Sequence, residues 1–143
     1  MSASSGHSAD SPRAFTLDTS RPPLVVVRST EAVNDPAAIA AWYADMDAFL
    51  ARGERFVSLF DLRGAPSDAT RRKRFMDFLR PRRALIRQLC VAHAGMVRSA
   101  IEMGVFTAFL WLAGEEVYVP VKMFNSEQVA TDWLLSQYRD AKA

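Results

Sequence analysis

Phe56-Val57-Ser58-Leu59-Phe60-Asp61-Leu62 is the stretch on which the fold turns. Five of its seven residues are apolar, and the apolar residues do not alternate with polar ones. That pattern predicts a central strand covered on both faces, not one with a wet side. Leu24-Val25-Val26-Val27 is a second run of this kind, and residues 89–97 (Leu-Cys-Val-Ala-His-Ala-Gly-Met-Val) are a third. Strands covered twice need helices, and the connections between these runs supply them.

Between the first two runs, Asp35 is an N-cap and Pro36 takes the first helical position. Ile39, Trp42, Tyr43, Met46, Phe49 and Leu50 then follow helical spacing, and Gly53 ends the helix. After Leu62 the chain turns at Gly64-Ala65-Pro66. Ser67 or Asp68 caps a helix that carries Phe75, Phe78 and Leu79 inward. Pro81 is expected to break or kink it, because proline has no amide hydrogen and its ring clashes with the preceding turn. A second helical piece then carries Leu85, Ile86 and Leu89. Ser99 caps a further helix over 100–112, which Gly114 ends. Residues 117–124 give a last strand, whose Pro120 marks an edge position or an irregular start, and Asn125-Ser126-Glu127 opens a helix through Trp133, Leu134 and Tyr138. At the front, Phe15-Thr16-Leu17 alternates, and Pro22-Pro23 closes a short connection to Leu24, which predicts an antiparallel hairpin. The expected fold is α/β, a mixed sheet of about five strands with about four helices in the order β-β-α-β-α-β-α-β-α. The domain spans 14–143. Residues 1–13, rich in Ser, Ala and Gly, read as a disordered tail and lack the apolar core of a secretory signal.

Composition narrows the function. A chain of 143 residues, half hydrophobic and 24% charged, is an ordinary globular domain. Its longest apolar run, 105–113, is far short of the ~20 residues of a membrane span, so a cytoplasmic location is expected. The single cysteine, Cys90, excludes an internal disulfide and sits in an apolar run, as a buried inert thiol would. No glycine-rich phosphate loop and no Gly-x-Ser-x-Gly elbow occurs. His7 lies in the tail. His93, the other histidine, sits mid-strand between alanines and reads as a core residue. Pairing it with Asp61 as a base and orienting acid is conceivable, but the spacing does not require it. No catalytic, cofactor or metal residues are assigned.

Two surfaces stand out. The net charge of +2 hides eight basic residues within 71–87, opposed there by Asp77 alone. Of these, Arg71, Arg72, Arg74, Arg80, Arg82 and Arg83 form a candidate basic contact surface. It fits a solvated helix face, a dock for an acidic protein or an anionic membrane surface, or nucleic acid. The last is disfavoured, because Phe75, Phe78 and Leu79 must face the core. The helix at 100–112 is apolar on most faces. Phe106, Phe109, Leu110 and Trp111 form a candidate apolar contact surface, packed against a neighbouring element, another chain or lipid.

Phe60-Asp61-Leu62-Arg63-Gly64, with the loop through Pro66 and the helix opening at Ser67, resembles the strand-loop-helix of the bacterial anti-sigma-factor antagonist domain. This is the STAS or SpoIIAA-like family, related to the Sec14 lipid-binding fold. The element order from Phe15 to Tyr138 is similar to that family's. The resemblance implies a SpoIIAA-like sheet and a non-enzymatic regulatory or scaffold role, exerted by binding a protein or a second copy of the chain. It also implies a phosphorylation site at Ser67, although Pro66-Ser67-Asp68-Ala69 departs from the family's Asp-Ser-x-Gly pattern. The alternative function is a small-molecule or lipid-binding module with an apolar pocket between the helix at 100–112 and the sheet.

Overall fold

The computed structural model describes residues 12–64, 69–105 and 119–142, without the side chains of Arg71, Arg72 and Lys142. Strands β1 (Phe15–Arg21) and β2 (Leu24–Ser29) form a hairpin. Helix α1 (Pro36–Ala51) leads to β3 (Phe56–Asp61), and α2 (Ala69–Leu89) leads to β4 (Cys90–Met96). Helix α3 is described over 100–105. Strand β5 (Val121–Phe124) and α4 (Glu127–Lys142) complete the chain. The sheet order is β1-β2-β3-β4-β5, antiparallel between β1 and β2 and parallel from β2 onward. The expected α/β class, mixed five-stranded sheet and four helices are therefore present.

Strands laid down in sequential order by crossovers of one hand send their helices to one face. Accordingly α1 and α2 share a core with Val25, Val27, Phe56, Phe60 and Cys90, built around Trp42, Met46, Phe49 and Phe78. The opposite face is covered by α4, whose Ala130 and Leu134 meet Leu24, Val26, Val57, Leu59, Ala92, Ala94 and Met96. Alternate residues of β2 and β3 thus serve two cores, which is why these strands read as unbroken apolar runs. The small side chains of Ala92 and Ala94 let α4 lie close to the sheet.

Local chemistry sets the helix ends. The Asp35 carboxylate accepts a hydrogen bond from the Ala38 amide at 3.2 Å, and Gly53 takes the left-handed conformation, φ +71°, just past α1. The expected break at Pro81 is absent: α2 is one helix from Ala69 to Leu89 with Pro81 inside it. The aromatic packing of Phe78 and the inward turn of Arg82 on either side of Pro81 hold it together. The last strand is shorter than its sequence pattern. It starts at Val121, directly after Pro120, and forms the sheet edge. Among the described residues no helix is long and apolar enough to cross a membrane.

Candidate functional site

Two places gather chemically capable side chains. The first lies between α2 and the sheet, which flank a partly open cavity of about 60 Å³. One register row runs through Val25, Ser58, His93 and Val121 on four adjacent strands, so their side chains stand together on the face toward α2. Phe75, Leu79 and Ile86 close the cavity from the helix, and its lining is almost wholly apolar.

A backbone irregularity brings Cys90 there too. Cys90 and His93 are three residues apart and would face opposite ways in a regular strand. Phe56 pairs with Cys90, but Val57 pairs with Ala92, leaving Val91 as an extra residue in β4. That bulge turns Cys90 and His93 to the same side. Ser58 Oγ then lies 2.8 Å from His93 Nδ1 and 3.8 Å from Cys90 Sγ. The Cys90 thiol donates to the Ala92 carbonyl at 3.3 Å. The His93 ring meets Phe60 edge-on at 4.7 Å and stacks at 6.3 Å from Phe75.

Burial dominates the titration of both groups. It holds His93 down at about 4 and pushes the Cys90 thiol up to about 11. At pH 7 the imidazole is therefore neutral and the thiol protonated, a polar but uncharged cluster. No acidic residue is among the described residues that line the cavity. The pairing of His93 with Asp61 does not form: the sheet register sets Asp61 beside Met96, at the far end of β3.

The second place is the carboxyl edge of the parallel strands, from which α2, α3 and α4 all begin. Arg28 at the end of β2 donates to Asp61 at 2.6 Å and to Glu127, in the first turn of α4, at 3.1 Å. Arg63 donates to Asp61 at 2.8 and 2.9 Å and lies 3.7 Å from Glu127. The bonds from Arg63, joined by Arg28, outweigh burial and hold the Asp61 carboxyl at about 2. Exposed apolar residues sit in the opening turns of the same helices: Ile101 is 81% exposed and Val129 is 56% exposed.

The described basic residues of α2 turn to different partners. Arg82 turns inward, with its guanidinium 4.4 Å from the Phe78 ring centre and 5.0 Å from that of Tyr43, and it bonds Asp47 at 2.6 and 3.0 Å. Arg74 donates to the Val33 carbonyl at 3.4 Å, and Arg80 lies 3.5 Å from Asp77. Arg83 lines the cavity. Ser67, Phe106, Phe109, Leu110, Trp111 and the side chains of Arg71 and Arg72 lie outside the described residues.

Sequence reasoning did not single out Ser58, Arg28 or Glu127, and it quoted Arg63 within a motif without giving it a role. Ser58 carried a signal, a polar residue in a strand buried on both faces. Arg28 and Glu127 are 99 positions apart and carried none. Comparison with known proteins yields no matching family model, curated protein or solved structure.

Proposed function

We propose that this chain is a non-enzymatic regulatory or scaffold domain that acts by binding a protein partner at the carboxyl edge of its sheet. The observation that carries this is the cross-tied edge itself: Arg28, Asp61, Arg63 and Glu127 lock β2, β3 and α4 together at the strand ends from which the helices carrying the exposed Ile101 and Val129 begin. The carboxyl ends of the parallel strands are where loops and helix starts gather, and such loops carry binding residues on a rigid scaffold. Exposed apolar side chains on a charged, rigid frame suit a protein surface better than a small anion, because each arginine there already faces a carboxylate.

The resemblance to the anti-sigma-factor antagonist domain points to the same edge. Ser67 falls between Gly64, which follows Arg63, and Ala69, where α2 begins. A phosphoryl group on Ser67 adds negative charge four positions after Arg63 in the sequence, as a switch on partner binding requires. The test is site-specific photo-crosslinking in the native cell, with the crosslinker at position 101 and, as control, at Glu54 beyond the end of α1. A discrete adduct from position 101 that Val129→Asp and Ser67→Asp diminish is expected. Equal capture from both positions overturns the proposal. Light scattering of the purified protein decides whether the partner is a second copy.

A further inference from the structure

We propose that Met123 is a peroxide-sensitive modification site: its thioether fills the space left open by Gly95, and oxidation to the sulfoxide loosens β5 from β4. This site is separate from the partner surface at the carboxyl edge, and its failure leaves that surface untouched.

Strand pairing sets the two residues side by side. Gly95 lies opposite Met123 in the parallel β4–β5 pair, two positions beyond His93 and Val121 and therefore on the same face. A methyl group on Gly95 would lie 2.5 Å from Met123 Cε and 2.7 Å from its Sδ, too close for real atoms, and 4.0 Å from Leu62 Cδ1. The Met123 side chain thus lies across the Gly95 backbone. Its sulfur and terminal methyl take the volume that any other residue at 95 would fill. Gly53 is the glycine with a positive φ among the described residues. The close approach of Met123, not a left-handed backbone, is what requires glycine at 95.

Reach decides which sulfur an oxidant meets. Met46, Met76 and Met96 are buried, whereas Met103 and Met123 are half-buried. Met123 is carried by β5, a four-residue strand at the sheet edge that pairs with β4 alone among the described residues. The His93 amide donates to the Pro120 carbonyl at 2.9 Å and the Val97 amide to the Phe124 carbonyl at 3.0 Å, one bond on each side of Met123. A strand this short has few ladder bonds, so a side-chain contact across the pair weighs heavily in holding it.

In the oxidation, a lone pair on the Met123 sulfur attacks one oxygen of hydrogen peroxide. The S–O bond forms as the O–O bond breaks, and the sulfur gives up two electrons. The proton on the transferred oxygen joins the departing hydroxide, which leaves as water. An apolar thioether becomes a bulkier, polar sulfoxide. An oxygen directed at the sheet collides with the Gly95 backbone, and one directed outward draws the sulfur toward water. Either way the contact with Gly95 and Leu62 weakens, and β5 opens more often.

The full chain treated with hydrogen peroxide, followed by peptide mass mapping and amide hydrogen exchange, tests this. Met123 is expected to gain an oxygen before Met46, Met76 and Met96. Exchange at the His93 and Val97 amides should then rise roughly 5- to 30-fold. The Val57 amide, bonded to the Pro23 carbonyl, should keep its rate. Methionine sulfoxide reductase with a thiol reductant should restore slow exchange. In Met123→Leu the two amides should not respond, although Met103 still oxidises. Gly95→Ala should displace the Met123 side chain and speed its oxidation. Met123 staying reduced while the buried methionines oxidise, unchanged exchange once Met123 carries its oxygen, the same rise in Met123→Leu, or no acceleration in Gly95→Ala overturns the inference. Should either variant not fold, the reductase decides in the unaltered chain: exchange that stays fast after the oxygen is removed overturns it.

Discussion

At the scale of single residues, polar atoms in apolar surroundings dominate. Trp42 sits at the centre of the helix-side core, with ring centres 4.8 Å from Phe78 and 4.7 Å from Phe15, and its Nε1–H is buried without a partner. An unpaired buried donor costs about 1–3 kcal/mol. Trp42→Phe removes that cost along with some ring area, so its stability in urea denaturation is expected within about 1 kcal/mol of wild type, whereas Trp42→Ala should lose about 3–5 kcal/mol. His93 gives a pH signature. Its folded pKa of about 4 lies below the ordinary 6.5, so the unfolded chain binds the extra proton between these values. Stability is therefore full above pH 6.5 and falls as the pH drops toward 4, by up to about 3 kcal/mol. Thermal melts from pH 7 to 4 should show this decline, and His93→Phe should flatten it. That His93 would stand among apolar residues was legible from its alanine neighbours; that Ser58 would hold its Nδ1 was not, because the contact depends on the register of two strands.

At the scale of elements, α2 and β4 show tertiary packing overruling local rules. Pro81 lies inside an unbroken helix although its ring removes one backbone hydrogen bond. The Arg82 guanidinium lies over Phe78 and Tyr43 and also donates to the Phe78 carbonyl at 2.9 Å, tying the turn before Pro81 to the one after it. Pro81→Ala restores the missing amide, and the variant is expected to gain about 1 kcal/mol or more, read as a higher melting temperature. In β4 the extra residue Val91 interrupts the pairing with β3 and redirects Cys90. Sequence alone marks 89–97 as a buried strand. It does not mark the bulge, which lies between the Phe56–Cys90 and Val57–Ala92 pairs and depends on the pairing of two strands. The ends of α1, by contrast, were legible at Asp35, Pro36 and Gly53, since capping uses bonds within a few residues.

At the scale of the whole molecule, four charges tie the sheet to its opposite-face helix. Asp61 is the hub, with its side chain 12% exposed between Arg28 and Arg63, and Glu127 carries the link to α4. Asp61→Asn should destabilise the protein by about 1–3 kcal/mol, because two arginines lose their shared carboxylate. The acid limb of the stability curve should change as well. A carboxyl lowered from 3.8 to about 2 adds stability that is present above pH 3.8 and lost as the pH falls through 2. In the variant, acid unfolding below pH 4 should lose this component, while the His93 decline above pH 4 remains.

The sequence by itself determined the strands, the helices and their order. Their signals are local: runs of Val, Leu and Phe, 3.6-residue spacing, Asp-Pro starts and Gly stops. It also determined that central strands such as Phe56–Asp61 would be buried on both faces. Only the tertiary structure decided which side chains meet. Ser58 reaches His93 through strand register, Cys90 joins them through a bulge, Arg82 turns inward onto two rings, and Arg28 finds Glu127 across the sheet edge. The physical reason is that burial patterns are written within each segment. Hydrogen bonds and ion pairs between distant segments depend on angstrom-scale placement that no single segment encodes.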